Sequence, residues 1–160
     1  MKKQSAGILL YRIKNNILEV LLVHPGGPFW KNKDIGAWTI PKGEFNDGET
    51  ALDAALREFR EETSHAPLGP FTPLTTIRQK GGKEIHAWSA IGDLEISSLS
   101  SNTFEMEWPP KSGRRQSFPE INKYGWFDIK IASQLINPAQ IAFLKELSAS
   151  LSDDTPIEEH

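Results

Sequence analysis

Apolar positions along the chain fall into two periods. Residues 5–12 (SAGILLYR) and 18–24 (LEVLLVH) are short apolar runs rich in aliphatic residues, and Lys14-Asn15-Asn16 between them is turn chemistry. Together they predict a β-hairpin. Residues 25–34 open with Pro-Gly-Gly-Pro and continue through Phe29 and Trp30 into charged positions, which predicts a loop. A short strand is expected over 37–40, ended by Pro41, and then a loop over 42–48. The period changes near Glu49 and Thr50. Leu52, Ala55, Leu56 and Phe59 recur at i, i+3, i+4 and i+7, the stripe of an amphipathic helix that should stop near Ser64, with Pro67 just beyond. Strands are predicted over 71–79 and 84–91 around Gly81-Gly82, and over 124–127. Residues 97–117 are the least regular stretch. Helices should close the chain at 129–135 and 138–151, the second capped by Asn137 with Pro138 in its first turn. The expectation is one α/β domain over 1–151 and a flexible polar tail over 152–160.

The polar side of the predicted helix carries Glu58, Glu61 and Glu62 at i, i+3 and i+4, so all three share a face. At 100° per residue, that face lies roughly 115° from the apolar stripe. Like charges so placed repel by a few tenths of a kcal/mol per pair, about what an interleaved lysine would gain. The arrangement makes sense around a cation, and carboxylates select hard divalent ions such as Mg²⁺, Mn²⁺ or Ca²⁺. On the glutamates alone, a solvated acidic helix face remains equally open. Charge distribution favours a site: from Lys42 to Glu62 the net charge is −4, against −3 for the whole chain of 160 residues.

Bulk composition narrows the class. There is no cysteine, which rules out disulfides and thiolate zinc sites and fits a reducing compartment. The opening apolar run is broken by Arg12 and makes a poor signal peptide, and no segment approaches the ~20 apolar residues that span a bilayer. An isoelectric point near 5.8 argues against a broad nucleic-acid surface. A cytoplasmic protein with no membrane or nucleic-acid partner is expected; the oligomeric state is not legible.

The segment Gly43 to Glu62 fits a defined spacing: Gly43, five residues, Glu49, seven residues, then Arg57-Glu58-Phe59-Arg60-Glu61-Glu62. This resembles the box of the Nudix hydrolases, and Trp38-Thr39-Ile40-Pro41-Lys42 before it resembles that family's entry strand and turn. Six fixed identities over twenty positions make the match specific. One departure stands out. The family has Gly where this chain has Ser64, which puts the helix exit in doubt, because a left-handed residue there favours glycine.

The resemblance implies an α/β/α sandwich with a mixed β-sheet, and a Mg²⁺-dependent pyrophosphohydrolase, with Mn²⁺ an alternative ion. Glu58 and Glu62 would hold metal, with Glu61 as ligand or water-holder and the Gly43 carbonyl completing the set. Arg57 would orient Glu58, and Glu49 would brace the loop. Glu61 is the first candidate base and Glu120 the second. A diphosphate and an acidic site repel unless cations lie between them; such ions also ease deprotonation of a coordinated water. Lys42 is a candidate phosphate contact and Trp30 a candidate base-stacking residue. Lys111, Arg114 and Arg115 more simply form a solvated run, and Trp108 has no assignable role. The partner would be a small-molecule nucleotide, first a (deoxy)nucleoside triphosphate. Alternatives are a dinucleoside polyphosphate of the diadenosine tetraphosphate type, or a Nudix module that binds nucleotide without cleaving it.

Overall fold

The computed structural model describes residues 3–154. β1 (Gln4–Lys14) and β2 (Ile17–Pro25) form the expected hairpin, with Asn15 and Asn16 both at positive φ in the turn. β1 organises the sheet. Gln4–Tyr11 pairs in parallel with the whole of β6 (Glu84–Ile91); on the other edge Gln4–Gly7 pairs antiparallel with β3 (Lys42–Phe45) and Tyr11–Lys14 with β2. β9 (Ile121–Asp128) lies antiparallel to β2. Two-residue strands β4 (Thr72–Pro73) and β5 (Ile77–Arg78) both pair with β6. The sheet is mixed, as expected.

Both faces of the sheet are covered, and strict alternation along the strands shows why. Ala6, Ile8, Leu10 and Leu21 point toward α1 (Ala51–Thr63) with Ala54, Ala55 and Phe59. Leu9, Val20 and Leu22 point the other way, into a cluster with Phe143, Leu144 and Leu147 of α3 (Ile141–Asp154) and Ala132 of α2 (Ile129–Leu135). This is an α/β/α sandwich. A short 3₁₀ turn, Pro138–Gln140, precedes α3, and fully buried Gln140 ties it to the sheet by accepting from Ile40 N–H at 3.0 Å.

Five expectations need correction. Residues 42–45 are a strand, because Gln4–Gly7 of β1 offers them an open edge; the strand expected over 37–40 makes only isolated bridges, Val23 to Thr39 and Trp38 to Ile136. The run 71–79 breaks into β4 and β5. The irregular stretch contains a two-stranded sheet, β7 (Thr103–Glu107) with β8 (Arg115–Pro119), which pairs only with itself. Finally, α3 continues through 152–154, where a tail was expected; residues 155–160 lie outside the described residues.

Candidate active site

α1 begins at Thr50, whose hydroxyl accepts from the Asp53 N–H at 3.1 Å. It packs across β1 and over β3, so its buried face is wider than the apolar stripe. Ala54, Ala55 and Phe59 are fully buried on β1, and Glu58 and Glu62 are buried beside them. The carboxylate and apolar faces therefore adjoin. Leu52 falls outside both core clusters, and Leu56 lies at the margin of one.

Arg57 gathers the acids. Its Nε and Nη2 donate to the two Glu49 carboxylate oxygens at 3.2 and 2.6 Å, and its Nη1 donates to Glu58 Oε2 at 2.8 Å and Glu61 Oε2 at 3.0 Å. A planar guanidinium is suited to this fork, which no lysine reproduces. The hydrogen bond from Arg57 holds the Glu49 carboxyl below the usual carboxylate range, and the same contacts, Glu49 first, make Arg57 more basic than usual. Arg57 thus ties Glu49, ahead of the helix, to Glu58 and Glu61 on it.

Glu58 and Glu62 behave differently. Burial pushes the Glu58 carboxyl up, against the pull of Arg57. Burial pushes Glu62 well up, reinforced by the charge of Glu58 and opposed by Lys42. Glu62 Oε1 is buried with no hydrogen-bond partner, the kind of atom a native interior leaves unpaired only for a reason. At Gly43 a Cβ would lie 1.9 Å from Glu58 Oε1, so only glycine lets the β3 backbone approach that carboxylate.

Glu120 reaches the same end of α1 through the backbone. Its N–H donates to the Asn102 carbonyl at 2.8 Å, and the Asn102 N–H donates to the Glu61 carbonyl at 2.9 Å. Burial and then the charge of Glu61 raise the Glu120 carboxyl. Tyr124, which sequence reasoning missed, donates its hydroxyl to the Glu62 carbonyl at 2.6 Å, and burial pushes its phenol up to about 12. Nothing local in the sequence marks these long-range contacts to the helix end.

Ser64 resolves its own question. It sits at φ 66°, ψ 16°, the left-handed conformation expected of glycine, with its N–H on the Arg60 carbonyl and its hydroxyl donating to the Ser100 carbonyl at 2.9 Å. The exit geometry survives the substitution.

Lys42 begins β3 close to Glu62, Glu58 and Glu44; burial lowers its pKa, as does Lys83, while the three acids oppose the shift. Trp30 is partly exposed in a short 3₁₀ turn, with the Lys33 ammonium 5.4 Å from its ring centroid. Trp38 is core: it is buried, meets Phe127 edge-on at 5.0 Å, and donates its indole N–H to Asp34. Lys111, Arg114 and Arg115 are exposed on the β7–β8 hairpin.

The donors fit a hard divalent ion. Glu58, Glu62 and the Gly43 backbone adjoin, an anionic oxygen among them lacks a partner, and their mutual repulsion is what a cation relieves. Among the described residues no group of three His, Asp or Glu side chains is placed to hold a metal ion, and Arg57 holds Glu58 and Glu61.

A family model described as the NUDIX domain matches residues 1–147. The chain belongs to the Nudix family. It is 33% identical over 61 residues to an RNA pyrophosphohydrolase of Erythrobacter litoralis, covering 38% of this chain and 33% of that protein. It is 35% identical over 69 residues to the asymmetrical bis(5'-nucleosyl)-tetraphosphatase of Mus musculus, covering 39% of this chain and 43% of that one. The chain thus spans less than half the length of these curated relatives. Two solved structures share the fold. One is a C. elegans Ap4A hydrolase binary complex (TM-score 0.63, 24% identity, 94% of this chain and 98% of that one). The other is a mutT/nudix family protein from Listeria innocua (TM-score 0.63, 20% identity, 95% of each). Among the described residues no helix is long and apolar enough to cross a membrane.

Proposed function

We propose that this Nudix protein is a Mg²⁺-dependent pyrophosphohydrolase that cleaves the phosphoanhydride of a nucleoside diphosphate linked to another group, most simply a (deoxy)nucleoside triphosphate. One observation carries the reading. Buried Glu58 lies against Gly43 and near buried Glu62, with one Glu62 oxygen unpaired, while Arg57 fixes the neighbouring carboxylates. A protein that only needed a stable helix would not bury these two acids together.

Glu58, Glu62 and the Gly43 carbonyl would hold the metal, and Mn²⁺ satisfies the same oxygen donors. Bound there, the ion would neutralise phosphate charge and acidify water. The remaining work falls to the chain. Arg57 orients the Glu58 carboxylate and pulls against the burial that raises its proton affinity, and Glu49 anchors Arg57 in turn. Glu61 is the first candidate to take the proton from the attacking water. Glu120 is the second, since burial raises its affinity for a proton. Lys42 is set to face a phosphate at the mouth of the site.

Glu58→Gln keeps the acceptor for Arg57 but removes the charge. Turnover should fall at least ~100-fold with little change in the thermal melt. The assay is product separation after incubation with MgCl₂ and a panel of nucleoside triphosphates, diadenosine tetraphosphate and 5'-triphosphate RNA. Undiminished turnover in the variant would refute the ligand role. Binding without turnover across the panel in the wild type would favour a nucleotide sensor. The tetraphosphate belongs in the panel because relatives bearing that activity's name share sequence or fold with this chain.

A further inference from the structure

The β7–β8 hairpin is separate from the main sheet, yet it is held against the loop that follows β2. A Cβ at Gly27 would lie 2.9 Å from the Phe104 ring, and Phe29 meets Trp108 edge-on at 6.5 Å. Between loop and hairpin lies a cavity of about 560 Å³, within the range of small-ligand pockets. Its wall includes Lys31, Asn32, Trp108, Gln116, Phe118 and Asn122. Pro119 also lines it, and the next residue is Glu120, whose carboxyl feels the charge of Glu61. The cavity therefore shares a wall with the segment that carries Glu120.

Its chemistry is that of a base-binding pocket. Trp108 and Phe118 are half-buried aromatics, a surface on which a base can stack by its π-face. Two amides stand nearby, each half engaged. Gln116 donates its Nε2 to the Trp108 carbonyl at 3.0 Å, which leaves its carbonyl oxygen to accept. Asn122 turns its Oδ1 to the buried His24 ring at 3.0 Å, which leaves its NH₂ to donate. Asn122 also sits where the β2–β9 register shifts, between His24 and Pro25, so the bulge aims this residue out of the ladder. One donor and one acceptor beside an aromatic wall match the edge of a nucleobase.

We propose that this cavity is the nucleobase subsite: the base stacks on Trp108, the Gln116 and Asn122 amides read its edge, and Lys31 faces the phosphate chain. The inference rests on the pyrophosphohydrolase reading above. It moves the stacking role from Trp30 to Trp108, and it gives the hairpin a purpose, selecting among nucleotides.

Titration calorimetry in MgCl₂ with the α,β-imido triphosphates of adenosine, guanosine, cytidine and uridine tests it, with tripolyphosphate as a probe lacking a base. Trp108→Ala should weaken nucleotide binding at least tenfold, Trp108→Phe by less than threefold, and neither should change tripolyphosphate binding more than twofold. Gln116→Ala, at an exposed position, should alter the ranking of the four bases. If wild type binds the nucleotides and both Trp108→Ala and Gln116→Ala bind them equally well, the subsite is refuted and the enzymatic reading stands. A parallel loss of tripolyphosphate binding would also refute a base-specific role. If wild type neither binds nor cleaves any nucleotide, both readings fall.

Discussion

The same sheet is covered by two helices that meet it in opposite ways. α3 contributes Phe143, Leu144 and Leu147, all at or below 1% exposure, while its Lys145 is exposed and its Glu146 only half-buried. α1 contributes Ala54, Ala55 and Phe59, but buries Glu58 at 9% and Glu62 at 8% exposure beside them. Stability alone would make the two faces alike, since replacing buried charge by apolar bulk is often neutral or stabilising. The difference suggests a division of labour. The α3 side stabilises the fold, and the α1 side holds charge that the bare protein cannot fully compensate.

The largest effect should come from breaking the α3 side. Phe143→Ala removes a fully buried ring and should cost about 3–5 kcal/mol, read as a fall in melting temperature of roughly 10 °C or more. Activity per folded molecule should stay near wild type, because the ring lies across the sheet from the carboxylates. On the α1 side, Arg57→Lys keeps the charge but loses the fork to Glu49, Glu58 and Glu61. Turnover at saturating Mg²⁺ should drop roughly 10- to 100-fold with little loss of stability. If these two variants exchanged phenotypes, the division would be wrong.

A third variant sharpens the comparison from the stability side. Glu58 and Glu62 have raised proton affinities in the fold, so between the ordinary carboxylate value and the raised one the folded state binds more protons than the unfolded chain. Stability without metal should therefore fall as pH rises through that window and level off below it. Glu49, with a lowered pKa, acts in the opposite sense, losing its contribution as pH falls, but it is only half-buried and its contribution is screened by solvent. Glu62→Gln removes the larger of the two raised carboxyls. In EDTA at neutral pH it should be more stable than wild type by about 1–2 kcal/mol, and its urea midpoint should vary less between pH 5 and 8. A destabilised variant with an unchanged pH slope would show that Glu62 is satisfied in some other way.

What the sequence disclosed follows the same divide. The hairpin of β1 and β2, α1 with its Thr50 cap, α2 and most of α3 rest on local signals, namely period, turn residues and caps, and they were legible. Arg57 and Glu49 were singled out through the family resemblance, and the structure joins them by two hydrogen bonds. What escaped depends on distant partners. Residues 42–45 become a strand only because β1 leaves them an edge, and Tyr124 and Asn102 reach α1 across more than forty positions of chain. Leu56, placed on the buried stripe by period, lies at its margin because β3 draws the helix toward its acidic side. Trp108 lacked a role because the β7–β8 pairing that presents it sits in the stretch with the weakest pattern.

The smallest effect concerns the end of α1, where the two demands meet. Ser64 holds a left-handed backbone that glycine would adopt at lower cost, yet its hydroxyl bonds to Ser100 in the segment leading to Asn102 and Glu120. Ser64→Gly relieves strain and loses one exposed hydrogen bond, two terms of about 1 kcal/mol each that oppose one another. The melting temperature should move by no more than about 3 °C. Ser64→Ala keeps the strain and loses the bond, so it should melt below both. If Ser64→Ala instead matched wild type, the Ser100 contact would contribute nothing to holding the helix exit. The shape of that exit, and the position of Glu120 beyond it, would then rest on the Tyr124 contact and on the backbone bonds of Ser100 to Thr63 and Asn102 to Glu61.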